Sequence, residues 1–135
     1  MKKLIALLFV LSAFMMGITA QSADNYSPED LLQQIVEITQ PQLPTTFDDA
    51  DSKVVLFGVN AEKKTITYSY AFAVKSDKSK TQDYYNAMKP ALIEGLKADP
   101  SISTLLNSGA IFIYRYYGID GKIVVEIKIT KKDIQ

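Results

Sequence analysis

The sequence predicts an α+β fold. We expect a four-stranded antiparallel sheet, built from two hairpins, with helices packed on one face in the order α-ββ-α(α)-ββ. Two observations carry this. Two pairs of runs rich in β-branched and aromatic residues are each joined by a short turn. Helical patterns opened by a cap residue plus proline precede and separate those pairs. Strand order does not follow, because the intervening helices can carry the second hairpin to either edge of the first.

The chain of 135 residues is long enough for one domain. Residues 1–20 read as a secretory leader: Lys2 and Lys3 are its charged part, Leu4 to Ile18 its apolar part, and Ile18-Thr19-Ala20 a small-residue cleavage point before Gln21. Cleavage after Ala23 is an alternative. The competing reading, a membrane anchor, has against it a short apolar run with no positive flank behind it. No cysteine follows the apolar part, which excludes a lipoprotein. The mature domain, 21–135, is therefore expected in the periplasm or outside the cell of a bacterium, with no membrane span after cleavage. Losing two lysines takes the formal charge from zero to −2, which is no footprint for nucleic acid. With no cysteine, core packing alone must hold the domain together; at this size it can bury about two-thirds of its unfolded surface.

Ser27 reads as a helix N-cap, with Pro28 at the first position and Glu29 and Asp30 in the first turn. Leu31, Leu32, Ile35, Val36 and Ile38 form an apolar stripe, and Pro41 and Pro44 stop the helix. Gln42 to Ser52 is expected as a connector. Lys53 to Asn60 and Thr65 to Val74 form the first hairpin. In the latter strand Ile66, Tyr68, Tyr70, Phe72 and Val74 make a large face for the core, opposite small groups from Thr65 to Ala73. Thr81 to Lys97 is helical, with Tyr85, Met88, Leu92 and Leu96 along one side and a kink or helix break expected at Pro90. Asp99-Pro100 starts a short helix that closes at Asn107-Ser108-Gly109.

Gly109 to Thr130 is the second hairpin. Ile123, Val125, Ile127 and Ile129 alternate with Lys122, Val124, Glu126, Lys128 and Thr130. The partner run, Ala110 to Tyr117, is apolar on both sides, so the turn must choose its core face. A two-residue Asp120-Gly121 loop pairs Arg115 with Glu126, Tyr114 with Ile127 and Phe112 with Ile129; a four-residue loop keeps the same faces. A three-residue loop would turn Arg115 among the isoleucines and bury its charge. Phe112, Tyr114 and Tyr116 are thus expected inside, and Ile111, Ile113, Arg115 and Tyr117 outside.

The chemistry is narrow. Without histidine or cysteine the chain cannot run Ser-His-Asp or Cys-His catalysis, thiol redox chemistry, or the usual zinc and copper sites. Asp48, Asp49 and Asp51 lack the glycine and terminal glutamate of a calcium loop, so no metal and no cofactor is expected. Gly118-Ile119-Asp120-Gly121 lies between strands rather than before a helix and is not a phosphate loop. The one arginine, Arg115, reads as a cross-strand ion pair with Glu126 in preference to an anion clamp.

Ala98-Asp99-Pro100, Leu105-Leu106, Gly109, Ile113 to Tyr116, Asp120-Gly121 and the closing strand resemble a group of small exported bacterial proteins, most without known activity. The layout is also similar to the periplasmic pilotins of type II secretion systems, which chaperone an outer-membrane secretin subunit. The resemblance covers roughly the last 40 residues and implies the fold and an envelope location. Its cysteine pair is missing here, with Ala98 near the first place and Asp133 or Ile134 near the second.

Three functions remain in view. The first is a non-enzymatic protein that binds an envelope or extracellular protein through the uncovered sheet face, Ile111, Ile113, Tyr117 and Val124, or associates with a second copy of itself through that face or a sheet edge. The second is a carboxylate-based envelope hydrolase or, as the resemblance implies, a pilotin-like secretion accessory protein, and the third a purely structural or vestigial domain with no small-molecule site.

Overall fold

A computed structural model describes residues 27–48 and 53–135. The expected leader, most of the acidic knot and the side chain of Asp48 lie outside the described residues. Each helix begins where its cap signal stands. Ser27 accepts the Asp30 N–H and opens α1 (Pro28–Thr39), which buries Leu31, Leu32 and Ile35 and leaves Ile38 exposed. Asp77 accepts from Ser79 N–H and opens α2 (Lys78–Lys97); Asp99 accepts from Ser101 and Ile102 N–H and opens α3 (Pro100–Asn107).

α2 runs as one helix through Pro90, where the sequence led us to expect a kink or a break. The reason is placement. Pro90 and Asn86 are both exposed, so the carbonyl deprived of an N–H partner can turn to water.

The sheet has five strands in the order β1 (Thr45–Asp48), β2 (Lys53–Glu62), β3 (Thr65–Phe72), β4 (Ile111–Tyr117), β5 (Ile123–Ile129). This corrects the expected four-stranded antiparallel sheet in two ways. Part of the supposed connector pairs with β2 as an extra edge strand, with Thr45 opposite Leu56 and Asp48 opposite Lys53. The two hairpins join through β3 and β4, which run parallel. α2 and α3 return the chain to the end where β3 began, as a crossover between parallel strands must.

The large face of β3 does meet the core: Ile66, Tyr68, Tyr70 and Phe72 are buried and alternate with half-buried small residues. In-register pairing sets Ile66 beside Phe112, Tyr68 beside Tyr114 and Tyr70 beside Tyr116. The Tyr68 and Tyr114 rings stack at 5.3 Å between centroids and 7° between planes; Tyr70 and Tyr116 stack at 4.8 Å and 15°. α1 packs against β2 and β3, and α2 against β5. Met88, Leu92, Leu96, Ile102, Leu105 and Leu106 complete the core.

The β4–β5 register is the expected one over most of its length: Phe112 with Ile129, Tyr114 with Ile127, Arg115 with Glu126. At the turn it slips by one, because Tyr117 pairs with Ile123 while Tyr116 pairs with Val125. Val124 is the extra residue of a bulge, and a bulge of this kind turns two successive side chains to one side. Val124 and Val125 are accordingly both buried, and Ile123 is 48% exposed. The expected outward Val124 and inward Ile123 have exchanged places.

Gly121 adopts φ 76° in this turn. Gly118 is there for another reason: a Cβ on it would lie 2.6 Å from the Val74 carbonyl oxygen and 3.0 Å from the Ser76 nitrogen. The turn is strapped to the exit of β3. Ile119 N–H donates to Val74 O at 2.8 Å, and the Asp120 carboxylate accepts from the Ser76 hydroxyl.

Candidate functional site

Helices cover the face with the tyrosine stacks, so the opposite face carries the candidate surface. Ile111, Ile113, Arg115 and Tyr117 point there and are half-buried, as the alternation required. They do not form one patch. Arg115 Nε donates to Glu126 Oε2 at 2.6 Å across the middle of the face. That hydrogen bond and the carboxylate's charge raise the guanidinium pKa further above its ordinary value. The ion pair separates Ile111 and Ile113, which lie beside Thr65 and Thr67, from Tyr117.

Around Tyr117 the structure gathers two residues that alternation did not assign to this face. Phe57 is the extra residue of a second bulge, where pairing passes from Leu56–Tyr70 to Gly58–Ser69. Leu56 before it and Val59, beyond Gly58, point inward, and Phe57 is turned out, 48% exposed. Its ring reaches Tyr117 two strands away, at 5.7 Å between centroids and 58° between planes. β3 allows this because it is small there: Ala71 pairs with Val55 on one side and Tyr117 on the other. Ile123, directly opposite Tyr117, completes an apolar end in which Phe57 and Ile123 are exposed and Tyr117 is half-buried. A glycine inside a strand pattern signals a bulge, so Gly58 is the signal in the sequence from which an outward Phe57 could have been found. No comparable cue marks Val124.

Four of the acids are occupied with the backbone. Asp77 and Asp99 cap helices, Asp120 ties the turn, and Asp133 accepts the Thr130 N–H at 2.8 Å. The hydrogen bonds from Ser79 hold the Asp77 carboxyl below its usual range, and that from Ser76 does the same for Asp120. For Asp133, partial burial pushes upward, but the Thr130 N–H and Lys89 outweigh it and the net shift is downward. A general acid in glycoside cleavage needs the opposite, a raised pKa.

An open groove of about 340 Å³ runs along α2, lined by Tyr85, Asn86, Lys89, Pro90, Ile93 and Glu94. Lys89 is held there by the Tyr85 hydroxyl at 2.9 Å and Asp133 at 3.2 Å. The Tyr85 hydrogen bond contributes most to raising its pKa, which is unsuited to a lysine base or nucleophile. Glu94 is the one carboxylate in the lining. Among the described residues no group of three acids is placed to hold a metal ion, and no helix is long and apolar enough to cross a membrane.

Three solved structures share this fold. A Pseudomonas aeruginosa protein described as a candidate secreted protein superposes with a TM-score of 0.63 at 12% identity, covering 80% of this chain and 93% of that one. The pilotin of the Vibrio vulnificus type 2 secretion system gives 0.60 at 10% identity, covering 80% and 92%. A type II secretion pilotin of Vibrio cholerae gives 0.56 at 13% identity, covering 78% and 91%. The layout similarity to pilotins suggested by the sequence is therefore present in three dimensions; at these identities it is a likeness of fold. No curated protein matches the sequence. Residues 27–125 match the family model described as "Domain of unknown function (DUF8479)", and the chain belongs to that family.

Proposed function

We propose that this chain is an exported, non-enzymatic binding domain of the bacterial envelope, and that its outer sheet face receives a protein partner. The observation that supports it is the exposed ring of Phe57 on half-buried Tyr117, with exposed Ile123 beside them. Tyr117 is outward by alternation, and bulges in two separate strands leave Phe57 and Ile123 outward beside it, where burial would have stabilised each of those two by about 1.5–3 kcal/mol. Contiguous accessible apolar side chains of this kind tend to mark an interaction site. Export rests on the leader pattern of residues 1–20, with residues 21–135 as the mature domain. The acids' structural duties and the single carboxylate of the α2 groove weigh against the hydrolase reading.

A pilotin-like role is the second reading, favoured by fold similarity to two pilotins. It would make the partner a secretin subunit, held without the lipid anchor that a cysteine would provide.

The test is crosslinking and capture from the native envelope with the mature chain. Ile113→Lys with Tyr117→Lys should abolish partner recovery while leaving the urea midpoint nearly unchanged. Should that pair fail to fold, Phe57→Lys and Ile123→Lys probe the same face at more exposed positions. Undiminished recovery with folded variants rejects this face. A secretin subunit among the captured proteins supports the second reading, and its absence from a strain that makes one counts against it.

A further inference from the structure

The open edge of β5 is a different surface, and its sequence is complementary to itself. β5 is the last strand of the sheet and pairs only with β4 among the described residues. The other edge, β1, is four residues long and offers little to pair with. β5 is seven residues long, and both of its ends are closed by side chains. Val124 O accepts from the Thr81 hydroxyl at 3.0 Å, and the Thr130 N–H donates to Asp133. Those two groups point away from β4. Backbone direction alternates along a strand, so Glu126 and Lys128 also turn their N–H and C=O outward between the two closed ends.

We propose that two copies of this chain associate edge to edge through β5, antiparallel about a two-fold axis at Ile127, to form one continuous sheet. Outward-facing residues must oppose outward-facing residues, which leaves three registers near the centre of the open window. Centring on Glu126 sets that carboxylate against its own copy, and centring on Lys128 sets two ammonium groups together. Centring on Ile127 sets Glu126 of each copy opposite Lys128 of the other, twice by symmetry. Like charges directly opposite are unfavourable, so charge selects the third register. An edge bearing lysines alone would repel a second copy; alternating sign at this spacing does not. Glu126 would then lie between Arg115 on its own sheet and Lys128 of the second copy, and Lys128 has no ion-pair partner among the described residues. On the inner face Val125, Ile127 and Ile129 are already buried, with α2 packed against the strand, so edge pairing leaves no inner apolar side chain of β5 to be covered. The window is short, which makes this a weak, concentration-dependent dimer. The inference is independent of the outer-face reading and stands or falls separately.

Analytical ultracentrifugation of the mature chain over a concentration series tests it. Dimer is expected at the upper end; a monomer at every concentration up to about 1 mM, a range that would reveal even a very weak complex, overturns the proposal. Lys128→Glu leaves the Arg115–Glu126 pair in place and makes the edge wholly acidic; it should raise the dissociation constant about tenfold or more, since two attractive pairs become repulsive. Glu126→Lys makes the edge wholly basic and should also be monomeric. An equimolar mixture of the two should dimerise again, because every opposed pair is then of opposite sign. A dimer indifferent to Lys128→Glu, or a mixture that stays monomeric with both variants folded, rejects this register. Independently, amide exchange at Glu126 and Lys128 should slow as concentration rises, and unchanged exchange in a sample that does dimerise places the interface elsewhere.

Discussion

Replacing Tyr114 by phenylalanine should stabilise the protein. Tyr114 is fully buried, and its hydroxyl has no hydrogen-bond partner among the described residues; the same holds for Tyr68, whose ring stacks on it at 5.3 Å. A buried polar group without a partner costs about 1–3 kcal/mol. Tyr114→Phe removes that cost and keeps the ring, hence the stacking and nearly all the buried apolar area. The loss is the space of one oxygen atom, about 0.3 kcal/mol at the usual cavity cost. A net gain of about 1–2 kcal/mol follows. Urea denaturation at neutral pH should show a higher midpoint with an unchanged slope, and melting should rise by about 4 °C per kcal/mol for a domain of this size. Tyr68→Phe should behave alike, with the double variant short of additive because the rings touch. A loss of more than about 1 kcal/mol in either single variant would refute the reasoning: it would mean that the hydroxyl is bonded in the folded protein in solution.

Three further outcomes follow from the same geometry. Burial raises the phenol pKa of Tyr68, Tyr70, Tyr114 and Tyr116 above the ordinary 10.0. The unfolded chain therefore releases these protons first, and the stability they confer is full below pH 10.0 and is lost as pH rises from there toward the raised values; each Tyr→Phe change should reduce the slope of an alkaline stability curve by about 1.4 kcal/mol per pH unit, and an unaltered slope would contradict their burial. Gly118→Ala forces a Cβ against the Val74 carbonyl and should destabilise by about 1–3 kcal/mol, with amide exchange at Ile119 accelerating first; a neutral result would show that the strap between turn and β3 is dispensable. Glu126→Gln should cost less than about 1 kcal/mol, because the Arg115 pair is more than a third exposed, and the difference from the parent should shrink at high salt; a cost above about 2 kcal/mol would mark the pair as a main support of the sheet.

Local chemistry determined much of this protein by itself. Cap residues with proline located α1 and α3, because an N-cap satisfies backbone groups within three residues of itself and needs no distant partner. The large face of β3 and the Arg115–Glu126 register were legible for a similar reason: side chains alternate with period two, and one wrong step would have buried the arginine. The absence of histidine and cysteine removed whole classes of chemistry before any fold was known. Tertiary structure decided what depends on contacts far apart in the chain. Thr45–Asp48 is too short to announce itself as a strand and exists as one by pairing with β2. The parallel β3–β4 pairing depends on where two helices return the chain, which no run of residues encodes locally. The two bulges decided the candidate surface. A single unpaired residue reverses the parity of everything beyond it, so Val124 went inward and Ile123 came out, while the bulge in β2 let Phe57 stay outward beside Tyr117 with Leu56 and Val59 both inside.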